Sequence, residues 1–137
     1  MKINLIAIGK TDEAYVEDGC QIYEKRIMHY LPYARYEIPS TKINYKYDKN
    51  RQLEAEASLL EKNLEPEAFV VLLDEHGKEF TSVGFAQFLQ NRMNAGIKNL
   101  TFVIGGPYGF HQRMKQRANE IMSLSLLTFP HQLVRLI

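Results

Sequence analysis

Three stretches carry residues whose types and spacing could do chemistry. The first is Gly105-Gly106-Pro107-Tyr108-Gly109, which closes the apolar run Leu100–Ile104. A short β-favouring apolar run ended by a glycine turn reads as a strand buried on both faces. Glycines at its carboxyl end permit a tight turn and let a ligand lie against the peptide groups. Ligands of open α/β sheets bind at that end of the strands. The second stretch is Leu73-Asp74, at the end of the run Ala68–Asp74. Leu73 could lie against a ligand's flat face, with backbone groups free to bond, or the pair could simply close a buried strand. The third is Ser123–His131, where Leu124, Leu126, Leu127 and Phe129 supply apolar walls and the loop exposes main-chain donors and acceptors. That combination suits a flat, uncharged heterocycle such as adenine, its edge read by backbone groups. A short core strand with a Pro-terminated turn is the competing reading.

Charged candidates surround these. His111, Arg113, Lys115 and Arg117 follow the glycine turn at i,i+4 spacing, and from Gly105 onward four Lys/Arg residues face Glu120 alone. Such a face could bind a phosphate backbone or simply be solvated. The same holds for Lys42–Arg51, with its interleaved Tyr45 and Tyr47. His131 and Arg135 form a further i,i+4 pair, with capping or core roles weighed against contact to a phosphate or base. Several chemistries are excluded by pattern. The glycine spacing is GGxxG rather than GxGxxG and lacks a following acidic ribose ligand; there is no GK[ST] phosphate loop, no GxSxG and no HExxH. An enzyme built on this sequence would take its reactive group from a cofactor.

The elements that must position these residues alternate strand and helix. Lys2–Gly9 reads as a first strand. A helix capped by Thr11 or Asp12 follows, with Val16, Cys20, Tyr23, Ile27 and Tyr30 on its apolar stripe, stopped by Pro32. Ala34–Ile38 is a second strand, Ser40–Arg51 a loop, and Arg51–Leu64 a helix with Leu53, Ala57, Leu60 and Leu64 on one face. Ala68–Asp74 is a third, central strand, with a turn at His76-Gly77. A helix capped by Thr81 or Ser82 runs to Gly96. Leu100–Ile104 is the fourth strand, Phe110–Glu120 a helix, Ser123–Leu127 a fifth strand and His131–Ile137 a last helix. The pattern specifies one α/β domain over residues 1–137, with a mainly parallel sheet and helices on both faces.

Composition agrees with a globular domain: 45% hydrophobic, 24% charged, and a net charge of +1 that argues neither for nor against nucleic acid. No apolar run approaches the roughly 20 residues of a membrane span, and the N-terminus reads as a strand rather than a signal peptide. Cys20 is the only cysteine, which leaves no intrachain disulfide or CxxC metal cluster and fits a reducing cytoplasm.

Taken together, Val-Val-Leu-Leu-Asp (70–74), Phe-Val-Ile-Gly-Gly-Pro-Tyr-Gly (102–109) and Ser-Leu-Ser-Leu-Leu-Thr-Phe-Pro-His-Gln-Leu-Val-Arg (123–135) resemble the SPOUT-class rRNA large subunit methyltransferase H family. The N-terminal Lys-Ile-Asn-Leu-Ile-Ala-Ile-Gly-Lys matches as well, so the resemblance spans the chain. The last motif is highly specific to the family; the glycine turn alone is not. The resemblance implies a C-terminal trefoil knot, a homodimer, S-adenosylmethionine as cofactor, no metal, and N3 of a pseudouridine in 23S rRNA of assembled ribosomes as methyl acceptor. It places cofactor contacts on Leu73, Gly105, Leu124, Ser125, Leu126, Leu127, Thr128 and Phe129. His131 and Arg135 are expected on the nucleotide side, and no motif assigns a base. The resemblance also implies a last helix and a Tyr-, His- and base-rich tail continuing past Ile137, which this sequence does not contain. Two other readings stand beside it: an inactive ribosome- or RNA-binding module of the same fold, and a small Rossmann- or flavodoxin-like nucleotide binder.

Overall fold

A computed structural model describes residues 1–40, 46 and 48–137. In chain order its elements are β1 (Lys2–Ile8), α1 (Ala14–Ile27), β2 (Tyr33–Ile38), α2 (Lys49–Asn63), β3 (Phe69–Glu79), α3 (Ser82–Asn94), β4 (Asn99–Ile104), α4 (Gln112–Arg117), β5 (Glu120–Ser123) and α5 (His131–Val134). The five strands form one sheet in the order β2-β1-β4-β3-β5, and every pairing is parallel. The winding reverses: the chain steps from β3 back to β4, then passes β3 again to reach β5. Such a reversal opens a crevice at the carboxyl ends of the strands, here those of β3, β4 and β5.

Strand alternation sends successive side chains to opposite faces. Ile6, Ile8, Val70, Leu72 and Val103 point to one face, where they pack with Ala57 and Leu60 of α2 and Met114 of α4. Val71, Leu100 and Phe102 point to the other, against Phe85, Phe88 and Leu89 of α3. Val134 of α5 joins Leu5, Ala7 and Ile104 on that second face. Because β1, β4 and β3 are covered on both sides, their sequences are continuous apolar runs rather than alternations.

Local signals explain most element boundaries. Asp48 accepts the Arg51 amide at 2.9 Å to cap α2, and Thr81 accepts that of Gly84 at 3.0 Å to cap α3. Gly96 follows the end of α3 at φ +75, the left-handed conformation that glycine adopts without strain. Neither Thr11 nor Asp12 caps α1; their amides bond Glu37 and Gln132 instead. Of the basic stretch Lys42–Arg51, Lys42, Tyr45 and Tyr47 lie outside the described residues.

Three further sequence expectations are corrected. His76-Gly77 is not a turn, because β3 continues through it to Glu79 with a register slip between Leu73 and Lys78. A Cβ on Gly77 would stand 2.6 Å from the Ile121 carbonyl, so only glycine lets the two strands cross this closely. The fifth strand is Glu120–Ser123, not Ser123–Leu127. Asn119 starts the pairing early, its side chain accepting the Val70 amide and its own amide donating to the Val70 carbonyl, both at 2.8 Å. The helix after the glycine turn is only Gln112–Arg117, since Phe110 enters the core first and Ala118 turns extended. Of the apolar stripe on α1, Val16 and Cys20 are buried, while Tyr23, Ile27 and Tyr30 stand exposed, Tyr30 to 86%.

Candidate functional site

The three sequence stretches meet. The carboxyl ends of β3, β4 and β5 enclose a cavity of about 490 Å³, bounded by Leu73–His76, Pro107–Phe110 and the segment Leu124–Phe129, with Leu126 turned outward. That volume lies within the roughly 300–1,000 Å³ range of small-molecule sites. One wall is the glycine turn: the Gly109 amide bonds the Gly106 carbonyl at 3.2 Å, with Pro107 and Tyr108 at the corner and Gly109 at φ +78. Proline at the second position of such a turn presets its φ. Gly105 lies behind the rim, where a Cβ would press on the Gly109 carbonyl and the Phe110 ring, each at 3.0 Å. Gly106 backs onto the Glu56 carboxylate of α2, which occupies the space a Cβ would need.

The Ser123–Phe129 loop is braced by its own hydroxyls. Ser123 Oγ donates to the Ser125 carbonyl at 2.8 Å, and Ser125 Oγ accepts the Leu127 amide at 3.0 Å. Thr128 Oγ1 reaches Glu75 at 3.1 Å, tying this wall to the end of β3. With the side chains doing the bracing, Leu127 lies 70% exposed and Leu126 75% exposed. Large apolar side chains held open on a short loop mark a surface made to be covered.

Charge of both signs lines the cavity. Asp74 and Glu75 contribute carboxylates to the lining, and Lys49 and Lys115 contribute ammonium groups. Asp74 accepts the His76 amide at 2.8 Å and lies 3.1 Å from His76 Nδ1. The rest of the basic helix is committed elsewhere. Arg113 pairs with Glu61 at 2.7 Å, Arg117 donates to the carbonyls of Glu65, Pro66 and Ala68, and His111 Nδ1 caps α4. Only Lys115 of that series faces the cavity. Sequence reasoning missed Glu75 and Glu56; a glutamate on an amphipathic helix has no signal that separates a buried one from a solvated one.

His131 and Arg135 are not brought together with the cavity. His131 is exposed at the start of α5. The Arg135 side chain is 1% exposed, its guanidinium bonding the Ile8 carbonyl at 3.0 Å, the Gly9 carbonyl at 2.8 Å and Thr11 Oγ1 at 2.9 Å, with Glu37 at 3.5 Å. Burial pushes its pKa down, while Glu37 pulls it up. Beside it, Arg35 pairs with Glu17 and Glu24, each at 2.8 Å. Arg135 also lines a second, larger hollow of about 820 Å³, together with Tyr23, Ile27, Tyr30, Phe85 and Leu89. Among the described residues no cluster of His, Cys, Asp or Glu could hold a metal ion, and no helix is long and apolar enough to cross a membrane.

Comparisons with known proteins converge on one answer. A family model described as "Predicted SPOUT methyltransferase" matches residues 1–137. A ribosomal RNA large subunit methyltransferase H from Christiangramia forsetii is 46% identical over 99% of this chain and 87% of its own length. Proteins of the same name are similar to the chain in Parabacteroides distasonis, at 45% identity over 100% of the chain and 87% of the relative, and in Cytophaga hutchinsonii, at 46% over 99% and 87%.

Proposed function

The chain belongs to the SPOUT methyltransferase family, and from that premise we propose that it transfers a methyl group from S-adenosylmethionine to N3 of a pseudouridine in 23S rRNA of assembled ribosomes. The observation that carries the reading is the convergence of three strand ends on one cavity. Leu73, Leu127 and Phe129 supply flat apolar walls for an adenine, and the glycine turn brings the main chain within reach of the ligand. The pattern of the resemblance puts cofactor contacts on Leu73, Gly105 and Leu124–Phe129. Asp74 and Glu75 favour a cationic sulfonium near the β3 end, while Lys49 and Lys115 favour phosphate at the opening. When bound, the cofactor supplies an electrophilic methyl group. The protein's task is then mainly positioning, by holding donor and acceptor in line.

The same premise supports a C-terminal trefoil knot, a homodimer and a cytoplasmic location. The exposed Tyr23, Ile27 and Tyr30 continue the apolar stripe of α1 beyond this chain's core, and a second copy is the occupant that fits a knotted dimer. His131 is the member of the i,i+4 pair available to the nucleotide. Arg135 acts on the nucleotide side through α5, whose end it anchors beside the cavity. Calorimetric titration with S-adenosylmethionine tests the cofactor: binding is expected, and none would sink the reading. Methyl incorporation into assembled ribosomes against free rRNA tests the acceptor. Donor binding without methyl incorporation into either would leave the inactive RNA-binding module.

A further inference from the structure

We propose that Glu56, on the back face of the sheet, is a positioning residue that sets the orientation of the Gly105–Gly106 peptide for the methyl donor. The proposal rests on the methyltransferase reading above. Glu56 lies on the inward face of α2, between the core residues Leu53, Ala57 and Leu60, and is 3% exposed. An apolar side chain would fill that position at lower cost, since a buried carboxylate loses its hydration. The carboxylate lies against Gly106, in the space a Cβ at that residue would occupy, where the Gly106 amide is the backbone dipole acting on it. Burial pushes its pKa up, and the Gly106 hydrogen bond draws it back down.

The consequence is geometric. Gly106 is flanked at both polar groups: the Glu56 carboxylate lies against it on the amide side, and its carbonyl accepts the Gly109 amide at 3.2 Å. In a planar trans peptide the carbonyl of one residue points opposite to the amide of the next. Fixing the Gly106 amide on α2 therefore directs the Gly105 carbonyl away from α2. A main-chain acceptor with one fixed direction can read a donor's edge, whereas a freely pivoting glycine pair cannot. This also accounts for glycine at 106, because any side chain there would displace the group that orients the turn.

Glu56→Gln keeps both volume and acceptor; Glu56→Met keeps volume and removes the acceptor. Calorimetry with S-adenosylhomocysteine is expected to give a Kd within about threefold of the parent for the Gln variant and raised at least about tenfold for the Met variant, the worth of one hydrogen bond or more. In methyl transfer to ribosomes the Met variant should raise KM for the donor by a similar factor and leave kcat within about threefold. Parent and Met variants of equal affinity, both folded by circular dichroism, would overturn the positioning role and leave the methyltransferase reading intact. A parent protein that takes up no S-adenosylhomocysteine would overturn both. If the Met variant fails to fold, two results still decide. A Gln variant that loses binding, or a Gly106 amide that exchanges with deuterium in the parent as fast as an open loop, counts against Glu56. Slow exchange of that amide, retained in the Gln variant, supports it.

Discussion

The two hollows of this chain are built from opposite materials. The cavity at the ends of β3, β4 and β5 is walled by a turn and a loop, with side chains such as Ser123, Ser125 and Glu56 spent on holding backbone in place. The groove beside α1 is walled by side chains, chiefly aromatic and aliphatic, with the buried Arg135 beneath them. Backbone walls give directional contacts that depend little on residue type but strongly on conformation. Side-chain walls give area, which is non-directional and tolerant of exchange. The first arrangement suits a small ligand recognised by its edges; the second suits a protein surface. Substitutions should therefore separate the two hollows by what they damage.

The largest effect is expected at the groove's floor. Arg135→Ala removes the guanidinium that the Ile8 and Gly9 carbonyls and Thr11 Oγ1 accept from and one of the cations beside Glu37, and should cost about 3–5 kcal/mol, read from chemical denaturation. A cost under about 1 kcal/mol would show that water replaces the guanidinium. Next comes Leu127→Asp on the cavity wall. It should weaken S-adenosylmethionine binding by about 10- to 100-fold, or about 1.4–2.7 kcal/mol, with the melting temperature unchanged because Leu127 is an exposed loop residue. Ile27→Glu should do the reverse, shifting sedimentation toward monomer by about tenfold or more in dissociation constant while leaving the fold of the protomer intact. A variant that stays dimeric would remove the groove from the interface.

The smallest effect is a pH dependence of the Arg35 network. The hydrogen bond from Arg35 holds the Glu17 carboxyl below its usual range. The stabilisation is thus present above the unfolded pKa and lost as pH falls through the lower folded one. Glu24 has the opposite sign, burial raising its carboxyl, so its contribution grows as pH falls into the window just above the ordinary value. Thermal melts from neutral to acid pH should show Glu17→Gln and the parent converging at the acid end, and Glu24→Gln and the parent converging there as well, from the opposite side. Parallel curves would show that neither carboxylate is coupled to folding.

What was legible in the sequence follows the same division. The cavity was legible because glycines and prolines at strand ends are local signals: Gly105–Gly109 stands where its pattern puts it, and the family motif spans Ser123–Arg135, whereas Leu73-Asp74, read as a strand end, lies within β3, which runs on to Glu79. The boundaries of β5 were not, because Ser123–Leu127 has the composition of a strand and only the Asn119–Val70 pairing, made across 49 residues, fixes the start. The α1 stripe was read as apolar, and its Tyr23, Ile27 and Tyr30 stand exposed; periodicity reports that a face is apolar, not what it packs against. Glu56 and Arg135 were illegible in their roles, since their partners are backbone groups of distant residues.

The Arg135 anchor has a consequence in time. It ties the end of α5 to the end of β1, across 126 positions to Gly9, in a sheet whose strand pairs are all parallel. Contacts this remote form only after long loops have closed, which makes such topologies slow to fold. Ser123–Phe129 sits between β5 and the helix that Arg135 fastens. A nascent chain can complete β1 and α1 early, yet the cavity's last wall is fastened only after α5 has emerged and docked.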